Sequence, residues 1–73
     1  MTYAIEQRMR LIDFLLANYA SVGPRHLIDY FGISLPQATR DFALYNELHP
    51  SNMVYGSSEK SWLATADFKR VYP

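Results

Sequence analysis

Between Tyr3 and Tyr19 the apolar residues Ile5, Met9, Ile12, Leu16 and Tyr19 recur at intervals of four, three, four and three. That spacing lines one face of an α-helix and predicts a first helix with this stripe turned to a core. Tyr3, Leu11 and Phe14 project from a sector roughly 100–180° away on helical geometry, which is more apolar surface than a lone surface helix carries. Two explanations stay open: Leu11 and Leu15 widen the core face, or Tyr3, Leu11 and Phe14 form a dimer interface. Ser21-Val22-Gly23-Pro24 breaks the pattern, with Val22 placed to pair briefly as a strand before Pro24 opens a second helix. Arg25 to Phe31 is short and amphipathic, and Gly32 can end it in a left-handed conformation. A third helix is predicted from Ser34 to about His49, with Ala38, Phe42, Tyr45 and Leu48 as its buried stripe and Pro50 as its stop. Asn52–Tyr55 and Ser61–Thr65 then read as strands around the polar segment Gly56-Ser57-Ser58-Glu59-Lys60, a loop of hairpin length. The tail from Asp67 to Pro73 either docks through Phe68 or leads outward.

Three helices followed by a hairpin is the winged helix-turn-helix order, so the predicted fold is mainly α with a C-terminal β-hairpin, a single domain over residues 1–73. The chemistry concentrates where the second helix turns into the third. Ser34 and Gln37 have capping-box spacing, in which the hydroxyl takes the Gln37 amide proton and the Gln37 side chain reaches back to the cap. Pro36 fits the first turn, where its missing N–H costs nothing. The face opposite Ala38, Phe42 and Tyr45 holds Leu35, Pro36, Gln37, Thr39, Arg40 and Ala43, short or polar enough for the amino end to enter a major groove. Gln37 can read adenine unless the capping box engages it, Arg40 can read guanine or grip a phosphate, and the Thr39 methyl can touch thymine. Arg25, His26 and Ser34, near the amino ends of the second and third helices, suit phosphate contacts. Ser57, Ser58 and Lys60 on the wing suit a phosphate or the minor groove. Tyr55 and Trp62 are expected to pack the hairpin onto the core, and His49 to sit at a helix end. Nothing in the pattern accounts for Arg8.

Composition narrows the function classes. Seventy-three residues bury only roughly 60% of the surface their unfolded chain exposes, so the core is thin and help from a partner fits. Seven basic residues balance seven acidic ones, so DNA binding requires a local basic face from Arg25, Arg40, Lys60, Lys69 and Arg70, with Asp41, Glu47 and Glu59 turned away. There is no cysteine, and the two histidines, His26 and His49, lie far apart in sequence, so neither disulfides nor a zinc site is expected. No run approaches a membrane span and the start lacks signal-peptide features, which makes a cytoplasmic protein the expectation. Without a nucleophile elbow, glycine-rich phosphate loop or metal cluster, an enzyme is not expected, and no cofactor is implied.

A longer string carries a family likeness: Arg10-Leu11-Ile12-Asp13-Phe14, Phe31-Gly32-Ile33-Ser34, Pro36-Gln37-Ala38, Asp41, Tyr45, Glu47-Leu48, Pro50, Asn52, Tyr55, Ser58, Lys60 and Ala64-Thr65. It resembles the N-terminal winged-helix domain of WYL-domain transcriptional regulators, above all the repressors that accompany bacterial anti-phage defence systems. The likeness spans nearly the whole chain, and Gly-Ile-Ser-x-Pro-Gln-Ala is its most specific part. It implies a bacterial or phage-encoded repressor domain that binds double-stranded operator DNA as a homodimer. In such regulators a following WYL domain senses a nucleic-acid or nucleotide ligand. This chain is expected to stop where the linker to that region would start, so no small-molecule ligand is expected for this domain. Whether the chain is cut from a longer repressor or is a stand-alone regulator stays open. The competing reading is a winged helix turned protein-interaction module, an adaptor or mobile-element decoy without DNA binding, which zero net charge and exposed aromatics would suit.

Overall fold

The four-three stripe is helical: in a computed structural model describing residues 1–73, α1 spans Tyr3–Tyr19. Its amino end is capped by Thr2, whose hydroxyl accepts the Ile5 amide proton at 3.2 Å. Its carboxyl end turns at Ala20 in the left-handed region (φ 63°), a conformation that strains a residue bearing a Cβ. That turn leads into β1 (Ser21–Val22), followed by α2 (Pro24–Phe31), α3 (Leu35–Leu48), β2 (Met53–Gly56) and β3 (Ser61–Ala64). The three helices and the hairpin match the expected winged helix-turn-helix arrangement, and the Val22 strand forms as anticipated.

Every element but β3 sends buried side chains into one core: Met9, Ile12 and Leu16 from α1, Val22 from β1, Leu27 from α2, Ala38, Phe42 and Tyr45 from α3, and Met53 from β2, with Trp62 and Ala64 of β3 packed, partly buried, against it. The stripes end earlier than their spacing suggests. Tyr19 is 69% and Leu48 44% exposed, because the last turn of each helix runs past the layer that covers it. The sheet has the order β1-β3-β2, with β3 antiparallel to both neighbours. Trp62, central in the sheet, stacks on Phe42 with ring centroids 6.1 Å apart. Tyr55 departs from expectation: it pairs across the strands with Trp62, but on an edge strand it meets that ring edge-on and stays half exposed.

The tail docks. Asn52 holds it through both ends of its amide, accepting from the Lys69 N–H at 3.0 Å and donating to the Lys69 carbonyl at 2.9 Å. Asp13, fully buried on α1, accepts the Val71 N–H at 3.0 Å, the Tyr72 N–H at 3.1 Å and the Tyr45 hydroxyl at 2.6 Å. Phe68 and Tyr72 pack against the core, and the Arg10 guanidinium lies 5.4 Å from the Tyr72 ring centre. Burial, then the hydrogen bond to Asp13, raises the Tyr45 phenol above its ordinary range; burial, then the Asp13 charge, raises that of Tyr72. His49 is the C-cap of α3, as anticipated, and meets the Tyr45 ring edge-on with ring centroids 5.0 Å apart.

Candidate nucleic-acid interface

The turn that presents α3 is built from two local devices. Gly32, with φ 67°, closes α2 through its N–H to the Ile28 carbonyl at 2.8 Å, and only a residue without a Cβ takes that conformation freely. Ser34 then caps α3, its hydroxyl accepting the Gln37 amide proton at 3.3 Å, and Pro36 occupies the first turn. Ala38, Asp41, Phe42 and Tyr45 face inward, whereas Ser34, Leu35, Pro36, Thr39, Arg40 and Ala43 are exposed and Gln37 is partly so.

The capping box is only half formed. Gln37 does not reach back to Ser34: its side-chain amine donates to Asp41 Oδ1 at 3.0 Å, and its carbonyl accepts from Arg40 Nη2 at 3.1 Å. The competing partner wins because Asp41 is a buried carboxylate one turn along the same helix, a charged acceptor that needs donors and takes the Gln37 amine. Asp41 is held in turn by Arg8 Nε at 2.6 Å, with side-chain exposures of 3% and 12%. This accounts for Arg8 and turns Asp41 away from the outer face, as that face requires. Thr39, exposed, donates its hydroxyl to the Leu35 carbonyl at 3.0 Å, so its hydroxyl is committed within the helix.

Other expected contacts are placed separately. Arg25 is exposed and lies 3.6 Å from Asp29, at the end of α2 away from the turn, roughly 10 Å along the axis from Gly32. His26 uses Nδ1 to accept the Gly23 amide proton at 3.0 Å, capping its own helix. Ser57, Ser58 and Lys60 are exposed at the hairpin tip, and Lys60 has a left-handed φ of 54°. The Glu59 side chain folds back over Gly56, close enough that a Cβ there would clash with it and with Leu63. Of the α1 residues expected at a dimer contact, Tyr3 is 80% and Phe14 43% exposed. Leu11 and Leu15 are partly buried against the core and also line a shallow hollow with His26, Asp29 and Tyr30. The Arg70 guanidinium sits 6.0 Å from the Phe14 ring centre.

Neither the pairing of Arg8 with Asp41 nor the role of Asp13 follows from the sequence pattern. The available signal was an aspartate inside each buried stripe, next to Ile12 on α1 and between Ala38 and Phe42 on α3, where a charge is tolerated only when paired. No group of three or more His, Cys, Asp or Glu is placed to hold a metal ion, and no helix is long and apolar enough to cross a membrane.

Residues 4–72 match the family profile described as the BrxR transcriptional regulator winged helix-turn-helix domain. The chain is 38% identical over 68 residues to the DNA-binding transcriptional repressor CapW of Pseudomonas aeruginosa, covering 93% of this chain and 23% of that protein. It is 37% identical over 67 residues to CapW of Escherichia coli (92% and 22%), and 35% identical over 65 residues to CapW of Stenotrophomonas maltophilia (89% and 22%). The chain thus spans less than a quarter of the length of these relatives.

Proposed function

This chain belongs to the BrxR transcriptional regulator winged helix-turn-helix domain family, and from that premise we propose that it is a sequence-specific double-stranded DNA-binding regulator, a repressor acting in the cytoplasm. One observation carries the reading: α3 buries Ala38, Phe42 and Tyr45 while turning the amino-terminal side with Ser34, Thr39 and Arg40 to solvent. A helix so arranged enters the major groove amino end first. Ser34, Pro36, Gln37, Thr39 and Arg40 form the groove-facing surface, Arg25 grips phosphate, and Ser57, Ser58 and Lys60 on the wing hold the flanking backbone. The relatives named as DNA-binding repressors support the same role.

The functional unit is a two-fold dimer on an inverted repeat, with its recognition helices in successive major grooves roughly 34 Å apart. Tyr3, Leu11 and Phe14 supply the contact between copies. Arg25, Arg40 and Lys60 from both protomers neutralise about six phosphates, so log affinity falls with log salt at a slope near −5. Fluorescence anisotropy with an operator duplex between about 50 and 200 mM salt tests this, and a flat titration overturns it. Salt-independent capture of a protein partner would instead favour the interaction module, a reading that rests on the exposure of Tyr3 and Tyr30 at 80% and 74%.

A further inference from the structure

We infer, resting on the DNA-binding reading above, that Gln37 reads no base itself: it positions Arg40, and the pair gives each half-site a preference for guanine. The argument starts at the donors and acceptors of a glutamine amide. To read adenine, the side chain must offer its amine and its carbonyl together to the N7 and N6 edge. Here both ends are occupied, the amine by Asp41 at 3.0 Å and the carbonyl by Arg40 at 3.1 Å.

The direction of the amide is fixed by its neighbours. A carboxylate only accepts and a guanidinium only donates. Reversing the amide would set its oxygen against the Asp41 carboxylate and its amine against the Arg40 guanidinium, losing both bonds at once. Asp41 cannot swing away to release it, because Arg8 Nε holds the other oxygen at 2.6 Å in a pair that is nearly sealed from solvent. The result is a relay from the interior of α1 to the outer surface of α3: Arg8, Asp41, Gln37, Arg40.

Its last member keeps its reading capacity. Gln37 takes one N–H of a guanidinium that has five, so Arg40 retains a fork for the O6 and N7 of guanine. An exposed arginine ordinarily loses side-chain freedom when it binds. Arg40 has part of that ordering done beforehand, by a group that also fixes which way the fork can tilt. Arg40 is therefore the contact residue, and Gln37 and Asp41 are positioning residues behind it.

The test selects bound duplexes from a random library with the full chain, then compares affinities for duplexes changed one base pair at a time. The wild type is expected to prefer guanine at one position per half-site by roughly tenfold, and Arg40→Ala to abolish that preference. Gln37→Met, which keeps the length of the side chain without its polar ends, is expected to lower the preference at that same position roughly threefold while leaving every adenine preference unchanged. The double variant Arg8→Met/Asp41→Leu removes the buried pair without stranding a charge. It is expected to weaken the same guanine preference roughly twofold although neither residue reaches DNA. Loss of an adenine preference in Gln37→Met, or a guanine preference left at full strength, overturns the inference while leaving DNA binding intact. A wild-type chain that selects no sequence over random duplex overturns the DNA-binding reading and this inference with it.

Discussion

Two buried aspartates cross-link the same two helices, about one turn apart, and serve different parts of the molecule. Asp13 on α1 receives Tyr45 of α3 and two backbone N–H groups of the tail. Asp41 on α3 receives Arg8 of α1 and the amine of Gln37. The donors to Asp13 are neutral and lead into the packed tail, so that cluster fastens the chain to itself. One donor to Asp41 is a buried cation and the other is a partly exposed side chain, so this cluster fixes helix spacing and also reaches the outer face. The difference teaches that a pin between helices extends to an exposed face only where one of its partners sits at the boundary with water.

The comparison breaks most sharply at the ionic pin. Arg8→Met leaves the Asp41 carboxylate buried without its cation and is expected to cost ~3–5 kcal/mol, read as a lowered urea midpoint. Adding Asp41→Leu is expected to restore most of that stability, since a buried pair replaced by apolar groups of similar volume is often neutral. Failure of the second change to compensate would mean that the pair does more than satisfy its own charges.

The neutral pin responds less to substitution and more to alkali. Tyr45→Phe removes the bonds to Asp13 and Asn52 and is expected to cost ~1–3 kcal/mol. The phenols of Tyr45 and Tyr72 are raised in the folded state, so between about pH 10, their unfolded value, and the folded one the native chain holds more protons. Their stabilisation is complete below about pH 10 and is lost as the pH rises further. Denaturation followed from pH 8 to 11 is therefore expected to show falling stability, with a shallower fall in Tyr45→Phe; equal slopes would remove Tyr45 from the account.

Smaller effects sharpen the contrast at the surface. Lys60→Ala is expected to weaken all duplexes alike and to reduce the salt slope by about 1 for each wing in contact, whereas Arg40→Ala relaxes one base position. Ala20→Gly, at the left-handed end of α1, is expected to raise stability by ~0.5–1 kcal/mol, visible as an increase in the thermal midpoint. The exposed pair of Arg25 and Asp29 is expected to contribute less than about 0.5 kcal/mol to folding, measured by a double-mutant cycle.

Local chemistry along the chain was enough for the helix boundaries, the Gly32 turn, the Ser34 cap and the wing, because each depends on residues within one turn or one hairpin. It also placed Thr39 and Arg40 outward, since the opposite stripe of Ala38, Phe42 and Tyr45 left them nowhere else to point. The endpoints of buried stripes were less legible: Tyr19 and Leu48 keep the period yet stand in water, as periodicity states which face turns inward and not how far the covering layer extends. Tyr55 shows the same limit across a sheet, where register alone does not say whether a strand is an edge.

What the sequence by itself determined is therefore the order of the elements, the turn between α2 and α3, and the polar character of the face that α3 presents. Only the tertiary structure decided why Arg8 is buried, which cation Asp41 takes and what holds the tail. Those answers join positions separated by 33 residues for Arg8 and Asp41 and by 58 for Asp13 and Val71. A buried carboxylate takes whichever donors the packing of helices brings to it, and that proximity is a property of the assembled core, absent from any local stretch of chain.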